Sequence, residues 1–168
     1  MQTQSEDGSD VWPEPDERMT NLIAGFDDQG RIKPMTYRVM REHTQTWPVT
    51  AATPSGPAAL LKAARDMYAL GFYSYELVAS ACVWSLFAME AALQLRLAST
   101  ASLKKLIELA EERKLIPEGS GGALSAGRKI RNHVIHRSVQ PVWSLGMAEP
   151  VMCTSHAVVA DLFPDPSA

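Results

Sequence analysis

Across residues 73–98 the chain carries apolar side chains at nearly every helical phase: Leu77, Val78, Ala81, Val83, Trp84, Leu86, Phe87, Met89, Leu93 and Leu97. A helix that is apolar all round has no face to give to water, so it must lie at the centre of a bundle with other helices around it. Its charge-free part, residues 77–89, is 13 residues long and stops at Glu90. A membrane-spanning helix needs about 20 such residues, so the length predicts a core helix and no membrane segment.

The flanking sequence supplies the neighbours. Ser55 is placed to cap a helix with Pro57 in its first turn, where a missing amide costs nothing, and Leu60, Leu61, Ala64, Met67, Tyr68 and Gly71 follow at helical spacing. Ser102 is placed to cap another helix through Leu103, Leu106, Ile107, Leu109 and Ala110, ending near Pro117 and the glycines of 119–122. A further helix is expected from about Ala123 through Leu124, Ile130, Val134 and Ile135. After Pro141 a loop with Trp143 is expected, then a short last helix capped by Thr154 through Val158, Val159, Leu162 and Phe163. The fold class is therefore all-α, with the helical domain at 57–163.

The N-terminal third reads differently. Residues 1–20 are acidic and proline-bearing and cannot bury enough apolar surface to offset their ordering entropy, which predicts a disordered acidic tail. Residues 21–56 read as an irregular arm: Asp27-Asp28-Gln29-Gly30 is a turn signal, Tyr37 to Met40 suits a short strand, and Pro48, Pro54 and Pro57 break longer elements. No secretory signal is visible at the N-terminus. Cys82 and Cys153 have neither disulfide-framework nor zinc-knuckle spacing, so a reducing cytoplasm is the expected location and no cofactor or metal is expected.

A net charge of −3 and a pI near 5.8 argue against a protein that coats nucleic acid indiscriminately. The average hides an asymmetry. Residues 1–30 hold eight acids against the single base Arg18, whereas 101–140 hold eight bases against four acids. The excess is concentrated where Arg128, Lys129, Arg131 and Arg137 surround Asn132, His133 and His136, with no acid between Glu118 and Glu149. Asn132 and His136 are four apart and share a helix face, and the long side chain of Arg131 can swing toward a phosphate near the histidine. Arginine grips phosphate oxygens in pairs, and histidine exchanges protons near neutral pH. His133 and His136 have the spacing of metal ligands too, but a third ligand would require Cys153 or His156 to fold over them.

The run Arg131-Asn132-x-x-x-His136 resembles the Arg-polar-x-x-x-His signature of the HEPN superfamily (higher eukaryotes and prokaryotes nucleotide-binding domains). Its context is similar as well: a long apolar helix with an internal acid at Glu90, a shorter amphipathic helix, a glycine-rich loop, then the motif. The resemblance spans about 57–140. It implies a four- to five-helix bundle that forms a homodimer through its motif helices, and a metal-independent endoribonuclease acting on RNA. In that reading Arg131, His136 and Asn132 are catalytic, Arg128, Lys129, His133 and Arg137 bind substrate, and Glu90 clamps Arg131 or Arg128 from behind unless it faces solvent with Gln94. The superfamily's toxin and defence members pair with an antitoxin or another protein partner; one such group has a tyrosine where this chain has Ser138. Other members only bind RNA, a nucleotide or a protein, or serve as structural subunits, so catalysis does not follow from the fold.

Overall fold

The computed structural model of the protein describes residues 13–116 and 144–166. The described chain is mostly helical, with one small antiparallel ribbon. In order it runs α1 (Glu17–Thr20), β1 (Ile23–Phe26), β2 (Ile32–Pro34), α2 (Tyr37–Gln45), α3 (Ser55–Leu70), α4 (Glu76–Leu97), α5 (Leu103–Glu112) and α6 (Leu145–Leu162).

Helix α4 is the axis that its sequence demands. Val78, Ala81, Cys82, Leu86, Met89, Leu93 and Leu97 are buried along one broad flank of it, while Trp84 and Leu95 on the other flank are exposed among the described residues, so the burial is less complete than an all-round apolar sequence predicts. It packs most extensively on α3 and α6, and α5 covers its C-terminal half. It ends at Ala98, whose left-handed φ of 49° turns the chain while Ser99 N–H closes on Gln94 O at 3.1 Å. Among the described residues α4 is the one helix long and apolar enough to cross a membrane, and 61% of its most apolar window is buried against the rest of the protein.

The core divides along α4. Around its second half Leu61 of α3, Leu106 and Ile107 of α5, and Val159 and Leu162 of α6 enclose Leu86, Met89 and Leu93. Around its first half Met19, Met40, Trp47, Tyr68, Phe72 and Met152 enclose Val78 and Cys82. The α3–α4 corner is tight: a Cβ on Gly71 would lie 2.6 Å from Val78 Cγ2 and 2.9 Å from the Tyr68 carbonyl oxygen. Between α4 and α6, Ser85 Oγ lies 3.3 Å from Ser155 Oγ and donates to Cys82 O at 2.8 Å, so these buried hydroxyls are partnered.

The part of the core around the first half of α4 shows that the N-terminal third is more ordered than its composition predicts. Of the expected tail, residues 1–12 lie outside the described residues, but from Asp16 the chain is fixed. Asp16 N–H donates to Phe72 O at 3.0 Å, and the Asp16 carboxylate accepts from Tyr75 N–H at 3.2 Å. Arg18 bridges Asp16 and Glu76 at 2.7 Å each with its guanidinium over the Tyr75 ring, and Met19 is fully buried. The six acids of residues 1–20 read as solvated tail, yet one of them, Asp16, accepts from the backbone amides of Arg18 and Tyr75.

The stretch 21–56, read as irregular, holds the ribbon and α2. The turn signal is correct: Asp27 Oδ1 accepts from Gln29 N–H and Arg31 N–H at 2.9 Å each, and Gly30 takes the φ of 75° that the turn requires. Tyr37 to Met40 is not a strand but the first turn of α2, because Thr36 Oγ1 accepts from Val39 N–H at 3.2 Å and caps it. Over four residues the alternation Tyr-Arg-Val-Met suits either state, and the cap decides.

Two helix limits also differ from expectation. Ser55 is the first residue of α3 rather than its cap, which is Pro54 with no side-chain hydrogen bond. The last helix is long, not short: Ser144 caps it through Met147 N–H at 3.3 Å, and Thr154 lies in its interior. Pro150 is accommodated in its second turn, where it removes one hydrogen bond without ending the helix. Ser102 does cap α5, at 3.5 Å from Lys105 N–H.

Candidate functional site

The basic motif, with Arg128, Lys129, Arg131, Asn132, His133, His136 and Arg137, lies outside the described residues. Its two anchors are described. Ile116, just past α5, is buried in the core, and Ser144 opens α6. Glu90 is half-buried on α4, on the half of the helix that α5 covers. Its expected pairing with Arg128 or Arg131 involves residues outside those described.

Within the described residues the polar chemistry gathers at the other half of α4, where α2, α3 and α6 meet. The inner layer is a buried hydrogen-bond chain. His156 of α6 is fully buried, with Nδ1 at 2.8 Å from Met152 O and Nε2 at 3.2 Å from Arg65 Nε. Arg65 of α3 also donates through Nη2 to the Trp47 carbonyl. The Trp47 indole packs between Tyr68, edge-on with centroids 5.1 Å apart, and His156, tilted at 5.2 Å. Burial pulls the His156 pKa down to about 4, against the upward pull of the Met152 carbonyl, so the ring is neutral at physiological pH. Both of its nitrogens are engaged, so His156 is not available as a third metal ligand beside His133 and His136. Nor is Cys153 an activated thiol, since burial raises its pKa. Among the described residues no three His, Cys, Asp or Glu side chains are grouped to hold a metal ion.

The outer layer is open. Between the ribbon, α2, α3 and the first turns of α6 lies a pocket of about 260 Å³. Its walls are mostly apolar, from Ile23, Ala24, Met35, Val39, Met40 and Leu145, and its polar groups are His43, Tyr68 and Glu149. His43 Nε2 approaches Glu149 Oε1 to 3.0 Å but makes no aligned hydrogen bond, although the atom is shielded from solvent. The His43 ring meets Trp47 edge-on, with centroids 5.7 Å apart, which joins the pocket to the inner layer. Burial, and next the Glu149 carboxylate, push the Tyr68 phenol well above its ordinary pKa, so it is a hydrogen-bond donor at any physiological pH. A second pocket of about 460 Å³ shares the Ile23, Met35 and Leu145 walls and runs on toward Arg18 and Tyr75.

None of His43, Tyr68 and Glu149 stood out in the sequence. His43 is one polar residue on an amphipathic helix, Tyr68 has the spacing of a core residue, and Glu149 falls in a stretch expected to be loop. No protein family, curated protein or solved structure matches the chain.

Proposed function

We propose that the chain is a metal-independent endoribonuclease of HEPN type, in which Arg131 and His136 act on RNA at the cleft of a homodimer. The observation that supports this reading is the order of elements ahead of the motif. A long apolar helix, α4, with Glu90 half-buried on it, is followed by the short amphipathic α5, and then by the glycine-bearing segment and the Arg131-Asn132-x-x-x-His136 run. A four- to five-helix HEPN bundle presents its motif after the same succession. In this mechanism a ribose 2′-hydroxyl attacks the adjacent phosphorus, and the bond to the 5′-oxygen of the next nucleotide breaks. The products are a 2′,3′-cyclic phosphate and a 5′-hydroxyl. His136 moves the proton between the two oxygens, Arg131 stabilises charge on the phosphorane, and Asn132 orients them. Arg128, Lys129, His133 and Arg137 hold the strand by its phosphates.

The test is incubation of the purified protein with mixed RNA in EDTA, followed by end-group analysis. Products with 2′,3′-cyclic phosphate ends that vanish in His136→Ala support the reading. Cleavage that requires a divalent metal, or that persists in His136→Ala, overturns it. Retained RNA binding without cleavage leaves the chain as a non-catalytic binding module.

A further inference from the structure

The pocket between α2, α3 and α6 lies apart from Glu90 and α5, at the opposite half of α4. Its only formal anion is Glu149, half-exposed at the mouth, and among the described residues no lysine or arginine lies within ion-pair distance of that carboxylate. Its one ionic neighbour among the described residues, His43, approaches to 3.0 Å from a direction that forms no aligned hydrogen bond. A carboxylate at the edge of an apolar hollow, with an unaligned imidazole as its sole partner among the described residues, retains most of its capacity to accept. Deeper in, the Tyr68 ring is buried, and no hydrogen bond ties its hydroxyl to another described residue. The remaining surface is methionine and aliphatic, which adapts to irregular apolar shapes.

We infer that this pocket binds a small organic amine, its ammonium held by Glu149 with the Tyr68 hydroxyl beside it and its hydrocarbon part against Met35 and Met40. The charge selects the class. An anionic ligand would meet the Glu149 carboxylate without a compensating cation, and a neutral apolar one would leave that carboxylate partly desolvated and unpaired. Size narrows it further: about 260 Å³ equals roughly nine water-sized volumes of about 30 Å³ each. That suits a compact monoamine rather than a nucleotide. A longer hydrocarbon tail has room in the adjoining hollow of about 460 Å³ past Leu145. His43 forms part of the same wall, with its covered Nε2 turned to the carboxylate and away from the ammonium.

The probes are benzylamine, its neutral counterpart benzyl alcohol and its anionic counterpart benzoate, titrated into the full-length protein carrying ¹³C-methyl methionine. Saturable shifts of the Met35 and Met40 methyls with benzylamine are expected, with Met89 in the distant half of the core unmoved. Benzyl alcohol should bind at least tenfold more weakly and benzoate not at all, and Glu149→Gln should weaken benzylamine about tenfold or more. Glu149 is half-exposed, so this variant should keep the methionine spectrum of the parent; Tyr68→Phe, losing only the hydroxyl, should weaken benzylamine a few-fold. Equal response to benzoate, unchanged affinity in Glu149→Gln, or no saturation by benzylamine at millimolar concentration would each overturn the assignment.

Discussion

Arg65 Nε and His156 Nε2 are 3.2 Å apart, so a guanidinium that never loses its charge donates to an imidazole that must stay neutral to accept. With Nδ1 at 2.8 Å from Met152 O, the tautomer carrying hydrogen on Nδ1 is the one that satisfies both contacts. Protonating Nε2 would turn this acceptor into a donor facing a cation, in a site closed to water.

Stability should therefore depend on pH through His156. Its folded pKa, about 4, lies below the ordinary 6.5, so the unfolded chain takes up the proton first as pH falls. The contribution is complete above about pH 6.5 and is lost progressively down to about pH 4. It should amount to roughly 3.5 kcal/mol, since one pKa unit corresponds to about 1.4 kcal/mol. Urea unfolding at pH 7.5 and 4.5 measures it. His156→Gln, which cannot titrate, should flatten this part of the profile, and an unchanged slope would reassign the acid sensitivity to other groups.

Gly71 is required for space rather than for backbone freedom, because its φ of −54° is open to any residue. Gly71→Ala drives a methyl against Val78 and the Tyr68 carbonyl and should cost about 1–3 kcal/mol, seen as a lower thermal midpoint. Gly71→Ala combined with Val78→Ala should recover part of the overpacking loss, and failure to recover any would point to the carbonyl contact as the obstacle.

The two thiols should differ in their response to an aromatic disulfide reagent. Burial pushes Cys82 up to about 12, and Cys153, half-buried, is raised for the same reason. In native protein Cys153 should react slowly and Cys82 only at the rate of unfolding, so the count should go from one to two on adding denaturant. Fast reaction of both in the native state would contradict the packing of α4 on α6.

If Arg131 and His136 serve one transition state, each alanine variant should lose most of the RNA-cleaving activity, and the double variant should be little worse than either. Multiplicative losses would mean that the two side chains act in separate steps. The midpoint of thermal unfolding should stay close to that of the parent in all three, since none removes an apolar core residue.

Legibility in the sequence followed the range of the interactions concerned. The central helix, the Ser102 cap and the turn at 27–30 were readable because each depends on residues within a turn or two of one another. Met19 and Trp47 were not, since they enter the core only through partners far along the chain: Asp16 finds Phe72 and Tyr75, and Trp47 finds Arg65, Tyr68 and His156. The same applies to the pocket. His43 and Glu149 meet only because α2 and α6 both pack at the first half of α4, and no local pattern announces that meeting. The Arg131–His136 motif is the converse case, local in sequence and read there alone.

Helix α6 closes both halves of the core, through Met152 in one and Val159 and Leu162 in the other, although it is the last element of the bundle to be made. The chain beyond it is stitched back to residues 50–52, where Thr50 Oγ1 donates to Phe163 O and Asp165 accepts from Ala51 N–H at 2.7 Å. During synthesis the apolar flank of α4 that α6 will cover thus emerges long before its cover does. A nascent chain halted ahead of residue 145 should be a chaperone substrate and sensitive to protease, and resistance should arrive in one step once α6 is out.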